Sequence, residues 1–233
     1  MNIKRFNFHL NAFFVLFLLI FIVGCGKQEN KKLAQNYYKM AIEEVQDTKN
    51  GKEYAYKKAI DYIDEALKID QKTEYLAFKA TLLFELGYDE LGDSLFDIAL
   101  QKTKDEKLKC EIFNNKACLL AQVGILNHDN DKIDYAFNIW QNLINNKDYL
   151  TPEVALFNQS KVYVFKNDYE LAKNKLLKAI QLSPNYIDAH YYLALVYHNL
   201  SDIKAAKNEI NTVLYLFPEH ESAKRLMQIL KNL

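Results

Sequence analysis

The strongest constraint on the fold is an internal repeat, in which one pattern of side chains occurs twice, back to back, between Glu153 and His220. Leu156, Ser160, Tyr163, Asp168, Tyr169, Ala172, Leu176, Ala179, Leu182 and Pro184 fall in order in the first copy. His190, Ala194, Tyr197, Asp202, Ile203, Ala206, Ile210, Val213, Leu216 and Pro218 follow, each 34 residues on. Within a copy the apolar and small residues recur at three- and four-residue steps, so each half predicts an amphipathic helix and each copy a helical hairpin. Small residues at Ser160 with Ala172, and at Ala194 with Ala206, mark places where the two helices of a pair cross closely. Asn167-Asp168 and Ser201-Asp202 supply a turn and an N-cap, and Pro184 and Pro218 stop the second helix because proline cannot donate the next helical hydrogen bond. A single hairpin leaves an apolar face uncovered, so at least about three must stack to make a stable array.

The pattern resembles the tetratricopeptide (TPR) motif, with its large residue, a small residue four on, an aromatic three later, an alanine nine further and a closing proline. His190 stands in place of the usual large apolar residue, and Val213 in place of the usual alanine. The resemblance implies an all-α, right-handed TPR-type solenoid of about five antiparallel helical hairpins with a C-terminal capping helix. Used as a ruler, the repeat finds weaker units at 33–72, 73–107 and 110–150 beside those at 153–186 and 187–220, with the capping helix at 221–233. In the unit at 73–107, Gly92 replaces the expected alanine; in the first unit the leading helix is longer than the pattern. Between Leu120 and Ala136 the third unit carries an insertion around Ile125 to Asp131, read as a solvated loop. Six glycines and three prolines agree with an almost entirely helical chain.

Residues 1–24 are a different material. Lys4 and Arg5 precede an apolar run from Ala12 to Val23, about 18 Å long as a helix and too short for about 30 Å of hydrocarbon. The run ends in Ile22-Val23-Gly24-Cys25, which resembles a bacterial lipoprotein signal peptide, cleaved before Cys25 and leaving that cysteine lipidated. Losing residues 1–24 removes Lys4 and Arg5 and no acid from a chain with 30 basic and 30 acidic residues, leaving a formal charge of −2. Acyl chains such as palmitate, not a basic patch, would then hold the membrane. Cys25 and the polar residues 26–32 are expected to be a lipid-bearing linker, extended to at most about 25 Å. The expected location is a bacterial cell envelope, in the outer membrane where the cell has one, with the repeats on the periplasmic or extracytoplasmic side.

Patterns for chemistry are mostly absent. Asn127 to Asp131 fails as a calcium loop, because Lys132 and Asn138 stand where a glycine and an acid are needed. Cys110 and Cys118, about 12 Å apart along one helix, cannot pair with each other and read as buried residues. His190 and His198 have no spacing that completes a metal shell, and His190 reads as a core residue. Neither a phosphate loop nor a nucleophile motif occurs, and balanced charge offers nothing to nucleic acid. The chain is therefore read as not an enzyme, with no cofactor, metal, nucleic acid or small-molecule substrate.

The TPR resemblance implies a concave groove lined by the first helices of successive units. Carried over position by position, its partner-binding residues are Val154, Phe157, Lys161, Val164 and Phe165, then Asp188, Tyr191, Leu195, His198 and Asn199. Val154, Phe157, Val164 and Phe165 are expected to face solvent around Lys161, an apolar patch that a monomer rarely leaves open. The implied function is a membrane-anchored scaffold that binds a peptide or protein partner of the envelope, with envelope or pilus assembly as the setting. The alternative is a homo-oligomeric structural envelope protein in which the aromatic patch pairs with itself.

Overall fold

The computed structural model describes residues 25–47, 49 and 51–232. The expected signal peptide, residues 1–24, lies outside the described residues. Among those described, the chain forms eleven α-helices and no strand: α1 (Cys25–Gln46), α2 (Lys52–Ile69), α3 (Thr73–Glu85), α4 (Asp89–Lys102), α5 (Glu106–Asn127), α6 (Asn130–Ile144), α7 (Pro152–Phe165), α8 (Tyr169–Leu182), α9 (Ile187–Asn199), α10 (Ile203–Leu216) and α11 (Glu221–Lys231). Packing divides them into two compact units, one up to Leu119 and one from Leu120, with the boundary inside α5.

In the first unit α1 packs on α2, α2 on α3 and α3 on α4. Alanines make the first hairpin close: Ala34 and Ala41 on α1, and Ala55, Ala59 and Ala66 on α2, are fully buried. Gly51, at φ 96°, opens α2 in a conformation that a β-carbon would penalise. At the α3–α4 crossing, a β-carbon on Gly92 would stand 2.9 Å from the Ala80 carbonyl oxygen and 2.5 Å from the Phe84 ring. The helices are closer there than an alanine allows.

The second unit contains the repeat. α7 pairs with α8 and α9 with α10, while α6–α7, α8–α9 and α10–α11 are the contacts between neighbours. Asn167 (φ 60°) and Ser201 (φ 63°) adopt the left-handed conformation, and the amides of Asp168 and Asp202 reach back to the Tyr163 and Tyr197 carbonyls at 2.9 Å. These turns satisfy carbonyls that the ending helix leaves unpaired. Asp168 then accepts from the Leu171 amide and Asp202 from the Ala205 amide, capping α8 and α10. Ser160, Ala172, Ala194 and Ala206 are all fully buried at the crossings. Two apolar cores result, one built on Leu156, Leu176 and Leu193, the other on Ile210, Val213, Leu226 and Leu230. Each fully buried leucine or isoleucine side chain contributes roughly 1.5–3 kcal/mol.

Two expectations are corrected. Residues 26–32 are not an extended linker: they are the opening turns of α1. Lysine, glutamine and glutamate are good helix formers, and after Gly26 nothing breaks the run. The insertion in the third unit is also not a loop at Ile125–Asp131. It lengthens α5 to Asn127, burying Ile125, and leaves a turn at His128 (φ 57°) before Asp129 caps α6 by accepting from the Lys132 amide.

Candidate functional site

The candidate groove residues lie on α7 and α9. Every residue of α7 from Val154 to Val162 is buried. This overturns the expected solvent-facing patch: Val154 is 9 %, Phe157 1 % and Lys161 0 % exposed, while Val164 and Phe165 are half-buried. Stacking between hairpins is the reason for Phe157, whose ring lies 5.1 Å from Tyr186 and 5.0 Å from Tyr192, centroid to centroid, the latter edge-on. Lys161 Nζ sits 4.6 Å from the Phe157 ring centroid and 5.5 Å from that of Tyr192, so a buried ammonium faces two π-clouds.

On α9 the remaining candidates are more open. Asp188, Tyr191, Leu195 and His198 are half-buried and Asn199 is exposed. Tyr191 and Leu195 each lay one side on the core between α10 and α11. The Tyr191 ring also stacks on His220 at 5.0 Å, and His220 meets Phe217 at 6.0 Å. Burial, with a smaller push from the Asp188 carboxylate, raises the Tyr192 phenol to about 12, so it stays a neutral donor near neutral pH.

Polar side chains join the hairpins as well. The Gln159 amide nitrogen donates to the Phe137 carbonyl at 3.3 Å and to Gln141 Oε1 at 3.4 Å, and its oxygen accepts from Lys175 Nζ at 2.7 Å. Desolvation, then the neighbouring charge of Lys178, lowers the Lys175 pKa. His190 is a buried core residue, but one with two polar partners: Nδ1 lies 2.6 Å from Glu209 Oε2 and Nε2 lies 2.9 Å from the Pro184 carbonyl oxygen. Tyr186, Tyr192, Gln159 and His220 are contributors that the position-by-position transfer omitted. Their only sequence signal is an excess of aromatic and amide side chains next to the transferred positions. Among the described residues no group of three or more histidine, cysteine, aspartate or glutamate side chains is placed to hold a metal ion. No described helix is long and apolar enough to cross a membrane.

What this geometry offers is recognition, through aromatic faces, amide groups and half-open apolar side chains on paired helices. A TPR repeat family model matches residues 161–201, and a tetratricopeptide repeat model matches residues 187–220. Over residues 161–220 the chain is thus similar to tetratricopeptide repeats. Solved structures resemble a larger part of the chain. TTC0263, a thermophilic TPR protein of Thermus thermophilus, is 14% identical with a TM-score of 0.66, over 86% of this chain and 100% of its own. The pilF protein of Pseudomonas aeruginosa is 15% identical with a TM-score of 0.63, over 88% of this chain and 86% of its own. PilW, a type IV pilus biogenesis factor, is 19% identical with a TM-score of 0.60, over 79% of this chain and 78% of its own. At such identities the likeness is one of fold. No curated protein matches the sequence.

Proposed function

We propose that the chain is a membrane-anchored interaction scaffold that holds a peptide or protein partner along the inner face of its TPR hairpins at a bacterial envelope. The observation that carries this reading is that Val164 and Phe165 on α7 and Tyr191 and Leu195 on α9 are apolar and only half-buried. Each has one side packed and one side left for a partner, the arrangement in which a docking peptide gains apolar contact without unfolding its host. Pilus assembly is the favoured setting, supported by the likeness to PilW, whose description is type IV pilus biogenesis factor. The anchor is lipid on Cys25, supported by the Ile22-Val23-Gly24-Cys25 sequence.

Crosslinking in the native envelope, followed by identification of the captured protein, tests the scaffold. Phe165→Asp with Leu195→Asp is expected to abolish capture while leaving the helical signal intact, because both side chains are half-buried. Phe157→Asp is unsuitable for this purpose, since it buries a charge between two rings. Capture that survives the double substitution overturns the groove assignment. Cys25→Ser is expected to accumulate unprocessed precursor, and normal maturation of that variant excludes the lipid anchor.

A further inference from the structure

The two copies of the repeat act as controls for each other at one position. In the first, Leu156 is 4 % exposed in an apolar core, and Lys175 turns to Gln159. The positions 34 residues on are His190 and Glu209, and they pair with each other. His190 is 7 % exposed, and both of its ring nitrogens face acceptors, a carboxylate oxygen at 2.6 Å and a carbonyl oxygen at 2.9 Å. A neutral imidazole has a single N–H, so one nitrogen would present its lone pair to an oxygen lone pair. Only the imidazolium donates to both.

We propose that His190 is a protonation-dependent lock, joining α9 to α10 through Glu209 and α9 to the preceding turn through Pro184, which loosens the last hairpin, α9 with α10, as the pH rises. Loss of the proton leaves a buried acceptor facing an acceptor, with little water to replace the missing bond.

The surrounding charges support the direction. Glu209 is the carboxylate from α10. On α9, Tyr197 is raised by burial and then by Glu209. On α8, Lys173 is ion-paired to Glu170, and Asp202 caps α10. The hydrogen bond that His190 donates to Glu209 raises the His190 pKa, partly offset by desolvation and helped by the Pro184 carbonyl. A raised folded-state pKa gives stability that is complete below the ordinary histidine value, about 6.5, and lost as pH climbs through the folded-state value.

The test uses the whole protein and needs no partner. Amide exchange, corrected for its intrinsic pH dependence, is followed from about pH 5 to about pH 9. In the wild type, protection in α9 and α10 should fall relative to α7 and α8, by about tenfold for each pH unit between the ordinary and the folded-state pKa. His190→Leu, which copies the first repeat, should remove that relative fall. Where this variant does not fold, Glu209→Gln serves: its His190 imidazole resonance should titrate at a lower pH than in the wild type. Equal pH dependence of the two hairpins in the wild type, or an unchanged titration of His190 in Glu209→Gln, overturns the lock.

Discussion

The two units solve the same stacking problem with different chemistry. In the first, neighbouring hairpins are pinned by charge. Lys52 meets Glu85 at 2.6 Å between α2 and α3, Lys79 meets Asp64 between the same helices, and Lys116 on α5 bridges Asp97 at 2.6 Å and Asp93 at 3.0 Å on α4. In the second, the corresponding junctions are largely aromatic. Phe137 packs edge-on against Tyr163, Phe157 meets Tyr186 at a tilt and Tyr192 edge-on, and Tyr191 meets His220 at a tilt. The division has exceptions, since Tyr38 stacks on Tyr75 in the first unit and Lys166 pairs with Asp134 in the second. It teaches that a hairpin template leaves the glue between hairpins free to vary. An ion pair sets register by direction and geometry, and a ring pair by shape and buried area.

The largest test of this contrast is Phe157→Ala. Removing a 1 %-exposed ring between two others should cost about 3–5 kcal/mol in denaturant unfolding, with protection lost in α7 to α9. A loss under about 1 kcal/mol would show that the rings are bystanders. Next comes Lys116→Ala. Burial works to lower the Lys116 pKa, and its hydrogen bonds to Asp97 and Asp93 outweigh that effect. The two aspartates are partly open to water and remain solvated when the lysine is gone, so the expected loss is about 1–3 kcal/mol, not the full cost of an orphaned buried charge. Lys116→Met should recover part of it by refilling the volume. If Met is as damaging as Ala, the charge is what matters at this junction; if it is silent, packing alone suffices.

Gly92→Ala probes the crossing within a hairpin. Helix propensity favours alanine by about 1 kcal/mol, but with the Ala80 carbonyl and the Phe84 ring so close, overpacking outweighs that gain. The variant should be about 1–2 kcal/mol less stable in chemical unfolding. A stabilised variant would mean that α3 and α4 can part at little cost. The smallest effect is that of salt. Raising ionic strength from about 0.1 M to about 1 M should weaken protection across α2 and α3, through Lys52–Glu85 and Lys79–Asp64, by no more than about 1 kcal/mol. The α8–α9 junction should not respond in that direction, and equal responses would erase the distinction between the units.

Features set by neighbours in the chain were legible from residue order. The turns at Asn167 and Ser201, the caps at Asp168 and Asp202 and the small crossing residues follow from spacing, because each depends on contacts within one hairpin. Features set across hairpins were not. Phe157 looked open because its position in the repeat is commonly open, and its burial depends on Tyr186 and Tyr192 some thirty residues later. The pairing of His190 with Glu209 joins residues 19 apart, a separation that no helical period marks as a contact. The extra residues of the third unit could have formed a loop or a longer helix. In the structure the helix continues through the apolar stretch Val123–Leu126 and buries Ile125, a packing that residue order alone does not mark.

The start of α1 at Cys25 has a mechanical consequence. A flexible leash would let the repeats sweep a hemisphere above the bilayer and meet a partner at many heights and angles. If Cys25 carries the proposed lipid, a helix that begins there would instead make the mount a short strut: about nine residues precede buried Ala34, where α1 packs on α2, so at about 1.5 Å each roughly 14 Å of helix would stand clear of the hairpin. With lipid on Cys25, bending would be left mainly to the cysteine side chain and its lipid linkage. The first unit would then pivot about one point, within a narrow shell of distances from the membrane. A smaller search volume raises the effective concentration of any partner held at the right height and excludes those held elsewhere. Inserting a short Gly-Ser stretch after Lys32 would convert strut to leash and broaden that selection.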